Sequence, residues 1–237
     1  MMTPMSTPEI HVIYEDNHLL VINKPAELAT MGALEGEPTA AAWAADYLKR
    51  RYLKPGNAFV GVVSRLDSFV TGVLVLARTS KAASRLTEQF RQRQTRKLYF
   101  AYVEGHLNQP TWKTLSAHIA KNDAAHRMMI VTPQSRDAQL ATLQFRTLAS
   151  STTRSLLEVD LGTGRKHQIR LQLADHGHPI VGDNKYGANS NFLKGIALHA
   201  SKLTIEHPTL RKLMTFVAPL PAAWRGLSDE FLGKTQV

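Results

Sequence analysis

Cysteine is absent from the 237 residues. That excludes disulfides, zinc fingers, iron–sulfur clusters and thiol nucleophiles. Long apolar runs are absent too, with nothing near the roughly 20 residues of a membrane span. The leading MMTPMSTPEI lacks the apolar core of a secretory signal. A cytoplasmic protein with no membrane partner is expected. Acidic residues are sparse against basic ones, 19 to 29, for a formal charge of +10. An excess of that sign argues for a polyanionic partner, nucleic acid first and an anionic membrane surface second. No H-E-x-x-H occurs, and His176 and His178 lack the carboxylate and thiol partners of a metal set, so no metal is expected.

What is present is an ordinary globular composition, 43% hydrophobic and 20% charged, enough for one large domain or two small ones. HVIYEDNHLLVINKP reads as a hairpin turning at EDN, its second strand stopping at Pro25. TAAAWAADYLKRRYL reads as a helix capped by Thr39, with Trp43, Tyr47 and Leu48 on one face. VLVLAR (73–78) is a buried strand. SKAASRLTEQFRQRQ is a helix with Ser80 as cap candidate and Ala82, Leu86 and Phe90 as its apolar stripe. KLYFAYVEG, SLLEVDLG and IALHASKLTIEHP read as strands. RKHQIRLQLADHG reads as a helix with Ile169 and Leu173 inward, ended by Gly177. Residues 105–138 look irregular. Strands and helices intersperse without strict βα alternation, which predicts a mixed α+β sheet.

Three stretches carry candidate chemistry. Residues 81–97 hold Lys81, Arg85, Arg91, Arg93, Arg96 and Lys97 with Glu88 as the sole acid, and Tyr99 follows. Cations beside an aromatic suit RNA, though the same run reads equally as a solvated helix face. In GTGRKHQIR (162–170) the glycines permit an unusual loop, and Arg165 near a helix start opposes the macrodipole unless an anion sits there. In GVVSRLDSFVTGVLVLA (61–77) a polar island interrupts an apolar run. A buried Asp67 needs a cation. Arg65 lies two residues away, and the arginine-rich segment Arg165–Arg170 offers another partner. Nucleophilic or general-base work and a plain structural ion pair both fit Asp67 from the residues alone.

These motifs together resemble the RluA-type pseudouridine synthases over about residues 10–222. SRLDSFVTGVLVLA is similar to the family's H-R-L-D-x-x-T-S-G signature at Arg65, Leu66, Asp67 and Gly72. RKLYFAYVEG resembles K-x-Y-x-A-x-V-x-G, placing the family tyrosine at Tyr99. TGRKHQIRLQLADHGHPIVGDNKYG is close to T-G-R-x-H-Q-I-R followed by G-x-P-I-x-G-D-x-x-Y-G. Ser64 stands where the signature has histidine, Val70 and Thr71 depart from its T-S pair, and Glu27 stands where the opening motif has glycine.

The resemblance implies an α+β fold, a mixed and mainly antiparallel bisected sheet with flanking helices and a central catalytic cleft. It implies a catalytic domain over 9–225 between a disordered lead (1–8) and a tail (226–237), with no room for the S4 domain many members carry. It implies an isomerase that flips a uridine out of ribosomal or transfer RNA and rejoins its uracil through C5, without a cofactor and as a monomer. Asp67 would be the essential carboxylate, Tyr99 would stack on the base and assist C5 deprotonation, and Arg170 would hold Asp67 ionised. Arg65, Arg96, Lys97, Arg165, Lys166, His167 and Gln168 would contact RNA, and Leu66 and Ile169 would line the pocket. The alternative is an inactive RNA-binding protein that keeps the fold.

Overall fold

The computed structural model describes residues 10–34 and 36–227. The expected lead over 1–8 and the stretch 228–237 of the expected tail lie outside the described residues. The chain opens with β1 (His11–Glu15) and β2 (Leu19–Lys24). Their turn is closed by Asp16, whose Oδ1 accepts from the N–H groups of His18 and Leu19 at 2.8 and 2.7 Å. Helix α1 (Ala40–Arg51) is capped by Thr39 Oγ1, which accepts from Ala42 N–H. It buries Ala40, Ala44 and Leu48; Trp43 and Tyr47 lie beside that face, their rings stacked 5.1 Å apart.

After β3 (Gly61–Val62) and β4 (Thr71–Ala77) comes α2 (Ser80–Arg91). Its cap is Thr79, not the expected Ser80: Thr79 is extended and its Oγ1 accepts from Ala82 N–H, while Ser80 is already helical. β5 (Arg96–Glu104) follows. The stretch expected to be irregular instead holds the hairpin β6 (Lys113–Asn122) and β7 (Arg127–Val131), and β8 (Gln139–Ser150) and β9 (Arg154–Leu161) extend it. Helix α3 (Gln168–Asp175) begins later than RKHQIR suggests, because His167 takes left-handed backbone (φ +53°) and breaks the run. Arg165 therefore sits in a loop, not in a first turn. β10 (Leu198–Glu206) and β11 (Leu213–Val217) complete the sheet.

The eleven strands form one mixed sheet ordered β1-β2-β4-β10-β5-β9-β8-β6-β7, with β3 on β4 and β11 on β10. Among the described strands only β4 and β10 pair in parallel, and over two positions alone, Thr71↔His199 and Gly72↔Ala200. Beyond them β3 takes the edge of β4 and β11 that of β10, so the sheet divides into two plates. Gly72 is required at this seam: its φ is +118°, and a Cβ there would fall 2.2 Å from the Ala200 carbonyl oxygen. β2 from Leu19 to Ile22 and β4 from Val73 to Ala77 are apolar because both faces are covered there. Leu20, Ile22, Leu74 and Leu76 pack with α1 and α3 on one face, and Leu19, Val21, Val73 and Val75 with α2 on the other.

The seam also carries a titratable group. His199 is fully buried; its Nδ1 lies 2.8 Å from Thr71 Oγ1, and its Nε2 lies 3.2 Å from the Ala218 carbonyl oxygen. A neutral imidazole satisfies both, accepting from Thr71 and donating to Ala218. Burial pushes it down to about 4, the Ala218 carbonyl partly opposing. Between the ordinary pKa of about 6.5 and 4, the unfolded chain takes up a proton that the folded chain refuses. Stability is therefore complete above pH 6.5 and falls as pH drops toward 4, by roughly 3 kcal/mol from this residue. Urea midpoints should fall between pH 7 and 4.5, and His199→Gln should flatten the decline. Equal declines in parent and variant would contradict the assignment.

Candidate active site

One row of sheet positions underlies the site. In register, Lys24 pairs with Gly72, Gly72 with Ala200, and Ala200 with Tyr99. Residues paired across strands share a face, so Lys24 and Tyr99 stand on the same face on either side of the seam. Above them runs the loop from β3 to β4, which carries Ser64, Arg65, Leu66 and Asp67.

Backbone contacts pin this loop at four places. Thr30 Oγ1 donates to the Leu66 carbonyl (2.8 Å) and accepts from Leu66 N–H (3.1 Å). The Asp67 carbonyl accepts from Val70 N–H. Lys24 Nζ donates to the carbonyls of Pro25, Leu28 and Ser68, using all three protons. Ile196 N–H donates to the Phe69 carbonyl. Lys24 is wholly buried; burial pushes its ammonium down to about 7, and Asp67 partly offsets this. The site thus depends on a buried lysine that the sequence showed only as the last residue before Pro25.

The Asp67 side chain is 26% exposed. Arg170 Nη1 approaches its Oδ2 at 3.4 Å, across 103 positions of sequence, from the segment expected to supply a partner. The principal partner of Arg170 is different, however. Its Nε and Nη2 donate to the two oxygens of Asp183 at 2.6 and 2.8 Å, and its guanidinium stands 5.1 Å from the Tyr186 ring centroid. Asp183 is 1% exposed. The sequence GDNKYG, which holds Asp183 and Tyr186, reads from pattern alone as turn chemistry; only the fold reveals these two as the support of Arg170. No described contact uses Asp67 Oδ1.

Asp67 lies between two confluent limbs of a cleft, of about 610 and 950 Å³. The first holds Tyr99, Leu66 and Ile169, with Arg65, Arg91, Arg93, Lys97, Arg165, Arg170 and Lys202 around them. Asp67 is the one acidic side chain among the described residues of that limb. The second adds Lys166, Lys185, Met31 and Phe69. Burial, reinforced by the Asp67 charge, pushes the Tyr99 phenol up. Tyr99 therefore presents a ring face and an O–H, not a phenolate.

The expected RNA contacts divide. Arg65, Arg165 and Lys166 are exposed at the cleft, and Lys97 lines it over the Phe90 ring. Arg96 instead pairs with Asp160 at 2.9 Å and lines neither limb. Gln168 turns inward: its amide bonds Thr163, Thr142 and Arg165 backbone or hydroxyl groups, so it builds the loop and does not reach for phosphate. His167 is nearly enclosed and lies 3.9 Å from Asp67 Oδ2. Burial, opposed by Asp67, pushes it to about 4, so it is not a phosphate-binding cation.

A family profile described as RNA pseudouridylate synthase matches residues 18–175. An uncharacterized RNA pseudouridine synthase of Bacillus subtilis is 35% identical over 222 residues, covering 92% of this chain and 71% of its own. The ribosomal large subunit pseudouridine synthase C of Vibrio cholerae is 32% identical over 218 residues, covering 89% and 66%. Among solved structures, human RNA pseudouridylate synthase domain containing 4 superposes with a TM-score of 0.73 at 28% identity, over 90% of this chain and 89% of that one.

Proposed function

The chain belongs to the RNA pseudouridylate synthase family, and from that premise we propose that it converts specific uridines of ribosomal or transfer RNA to pseudouridine with Asp67 as the essential carboxylate. The observation that carries this reading is the limb of the cleft that holds Tyr99: Asp67 is the one acid among its described residues, and cations surround it. Cations hold the phosphates of a strand whose base has left the stack, offsetting an extrusion cost of a few kcal/mol. The resemblance of the large-subunit enzyme from Vibrio cholerae favours ribosomal RNA.

In the reaction the N1–C1′ bond breaks and a C5–C1′ bond forms. The C5 proton is lost and N1 gains one, so nothing is consumed. Asp67 either attacks C1′ or removes the proton at C2′. Its Oδ1, which no described residue contacts, is the oxygen offered for this step. Arg170, itself anchored by Asp183, steadies Oδ2. The Tyr99 ring offers a stacking face for the base, and its protonated state argues against phenolate as the C5 base. The single domain over 9–225 and the monomeric state belong to the same reading.

The test uses total RNA from a strain lacking this gene. Purified protein should introduce pseudouridine at one or a few positions, read by carbodiimide-based sequencing. RNA that is bound but never modified would favour the inactive RNA-binding alternative.

A further inference from the structure

Resting on the reading that Asp67 acts on the ribose of a flipped nucleotide, we propose that His167 is a second catalytic residue: a neutral imidazole, oriented by Tyr186, whose Nε2–H grips the 2′-oxygen of the target nucleotide beside Asp67. Tyr186 acts only through His167 and is a positioning residue.

The hydrogen-bond chain fixes the tautomer. Tyr186 Oη accepts from the backbone N–H of Met128 at 3.1 Å. A phenol has one proton, and among the described residues its partner is His167 Nδ1 at 2.9 Å. Tyr186 therefore donates to Nδ1, which leaves the ring proton on Nε2. Charge gives the same answer independently. Nε2 stands 3.9 Å from Asp67 Oδ2; a lone pair there would face a carboxylate, whereas an N–H is attracted to it. The ring stays neutral because burial dominates its titration, with Arg170, Lys166 and Lys185 pushing the same way and Asp67 opposing.

The 3.9 Å gap is too long for a hydrogen bond. It suits a bridging hydroxyl, which would accept from Nε2–H at about 2.9 Å and donate to Oδ2 at about 2.7 Å. In an internal nucleotide the 3′ and 5′ oxygens are esterified, so the one sugar hydroxyl available is the 2′. That group separates RNA from DNA. The left-handed backbone at His167 (φ +53°) fits this role. Non-glycine residues held in that region are strained, and such strain persists where the surrounding contacts over-determine it. Here Tyr186 ties the ring at one end, and α3, which begins at the next residue, fixes the backbone at the other.

Two measurements test the proposal. In ¹⁵N spectra of the full-length protein without RNA, the His167 ring should carry its proton on Nε2 at pH 7, and Tyr186→Phe should release it to a mixture of tautomers. A ring protonated on Nδ1, or one unchanged in Tyr186→Phe, overturns the proposal. The second uses a synthetic hairpin copied from a site modified in total RNA, with uridine or 2′-deoxyuridine at the target. Wild type and His167→Gln, which keeps an N–H donor, should bind the ribose form about tenfold more tightly, as one good hydrogen bond allows. His167→Leu should bring the ratio within about twofold, and Tyr186→Phe should lower it about twofold, as a half-populated tautomer dictates. The second variant leaves the strained backbone untouched, so misfolding of the first does not decide the matter. Wild type making no pseudouridine sinks the parent reading; an active wild type whose ratio survives in both variants sinks only this one.

Discussion

Asp67→Asn should fold like the parent, bind RNA, and release the C5 proton of uridine about 10⁴-fold more slowly, near 5 kcal/mol of barrier. The two halves of this expectation have separate causes. Folding survives because the loop is held by its backbone, through Thr30, Lys24 and Ile196, and not by the carboxylate. The lost Arg170 contact is long at 3.4 Å, and Arg170 keeps both bonds to Asp183. Activity fails because no other described acid lines the limb that holds Tyr99, so nothing inherits the role. Tritium release from [5-³H]uridine-labelled RNA reads the rate, and a melting curve reads the fold. A variant with activity within about tenfold of wild type would remove Asp67 from the mechanism.

Asp183→Asn should cost about 3 kcal/mol of stability, a fall in Tm near 10 °C for a domain of this size. Asp183 never reaches the reacting atoms in this scheme; its work is to neutralise Arg170, whose side chain is 5% exposed. Removing one partner of a buried ion pair strands the other's charge. The freed guanidinium would then swing toward Asp67 and occupy the oxygen the reaction needs, so turnover should fall along with stability. The diagnostic is the double variant Asp183→Leu with Arg170→Met. With no buried charge left unpaired, it should be more stable than Asp183→Asn alone, though inactive. A Tm for Asp183→Asn within about 3 °C of the parent would show that the pair carries little.

Much of the site could be read from the sequence because it is written in local patterns. The polar island of Arg65 and Asp67 just ahead of the apolar β4, the basic stretch ahead of Tyr99, and the glycines before Arg165 each signal themselves within a dozen residues. The link from Asp67 to the Arg165–Arg170 segment rests on the need of a buried carboxylate for a cation and on the arginines gathered there. The missing parts are those whose meaning depends on distant strands. Lys24 looks like an exposed strand end and is buried only because β4 and the loop close over it. Asp183 looks like a turn residue until α3 is laid beside it. β6 and β7 escape notice because their burial is partial and irregular, whereas β8 alternates from Ala141 to Phe145 and is legible there. RKHQIR reads as helix from its composition, while a left-handed histidine, which delays the start of α3 to Gln168, carries no mark in the sequence.

The seam between β4 and β10 sets a distance as well as a topology. Asp67 hangs from the plate that contains β4, and Tyr99 belongs to the plate that contains β5. The two plates meet through Gly72 and Ala200, while neighbouring ladders such as β5 with β9 run over seven pairs. The closeness of that meeting rests on an atom that is not there, the side chain of residue 72. Gly72 is in effect a shim of zero thickness. It fixes how far apart the carboxylate and the aromatic ring stand, and so the width of base the enzyme can take between them.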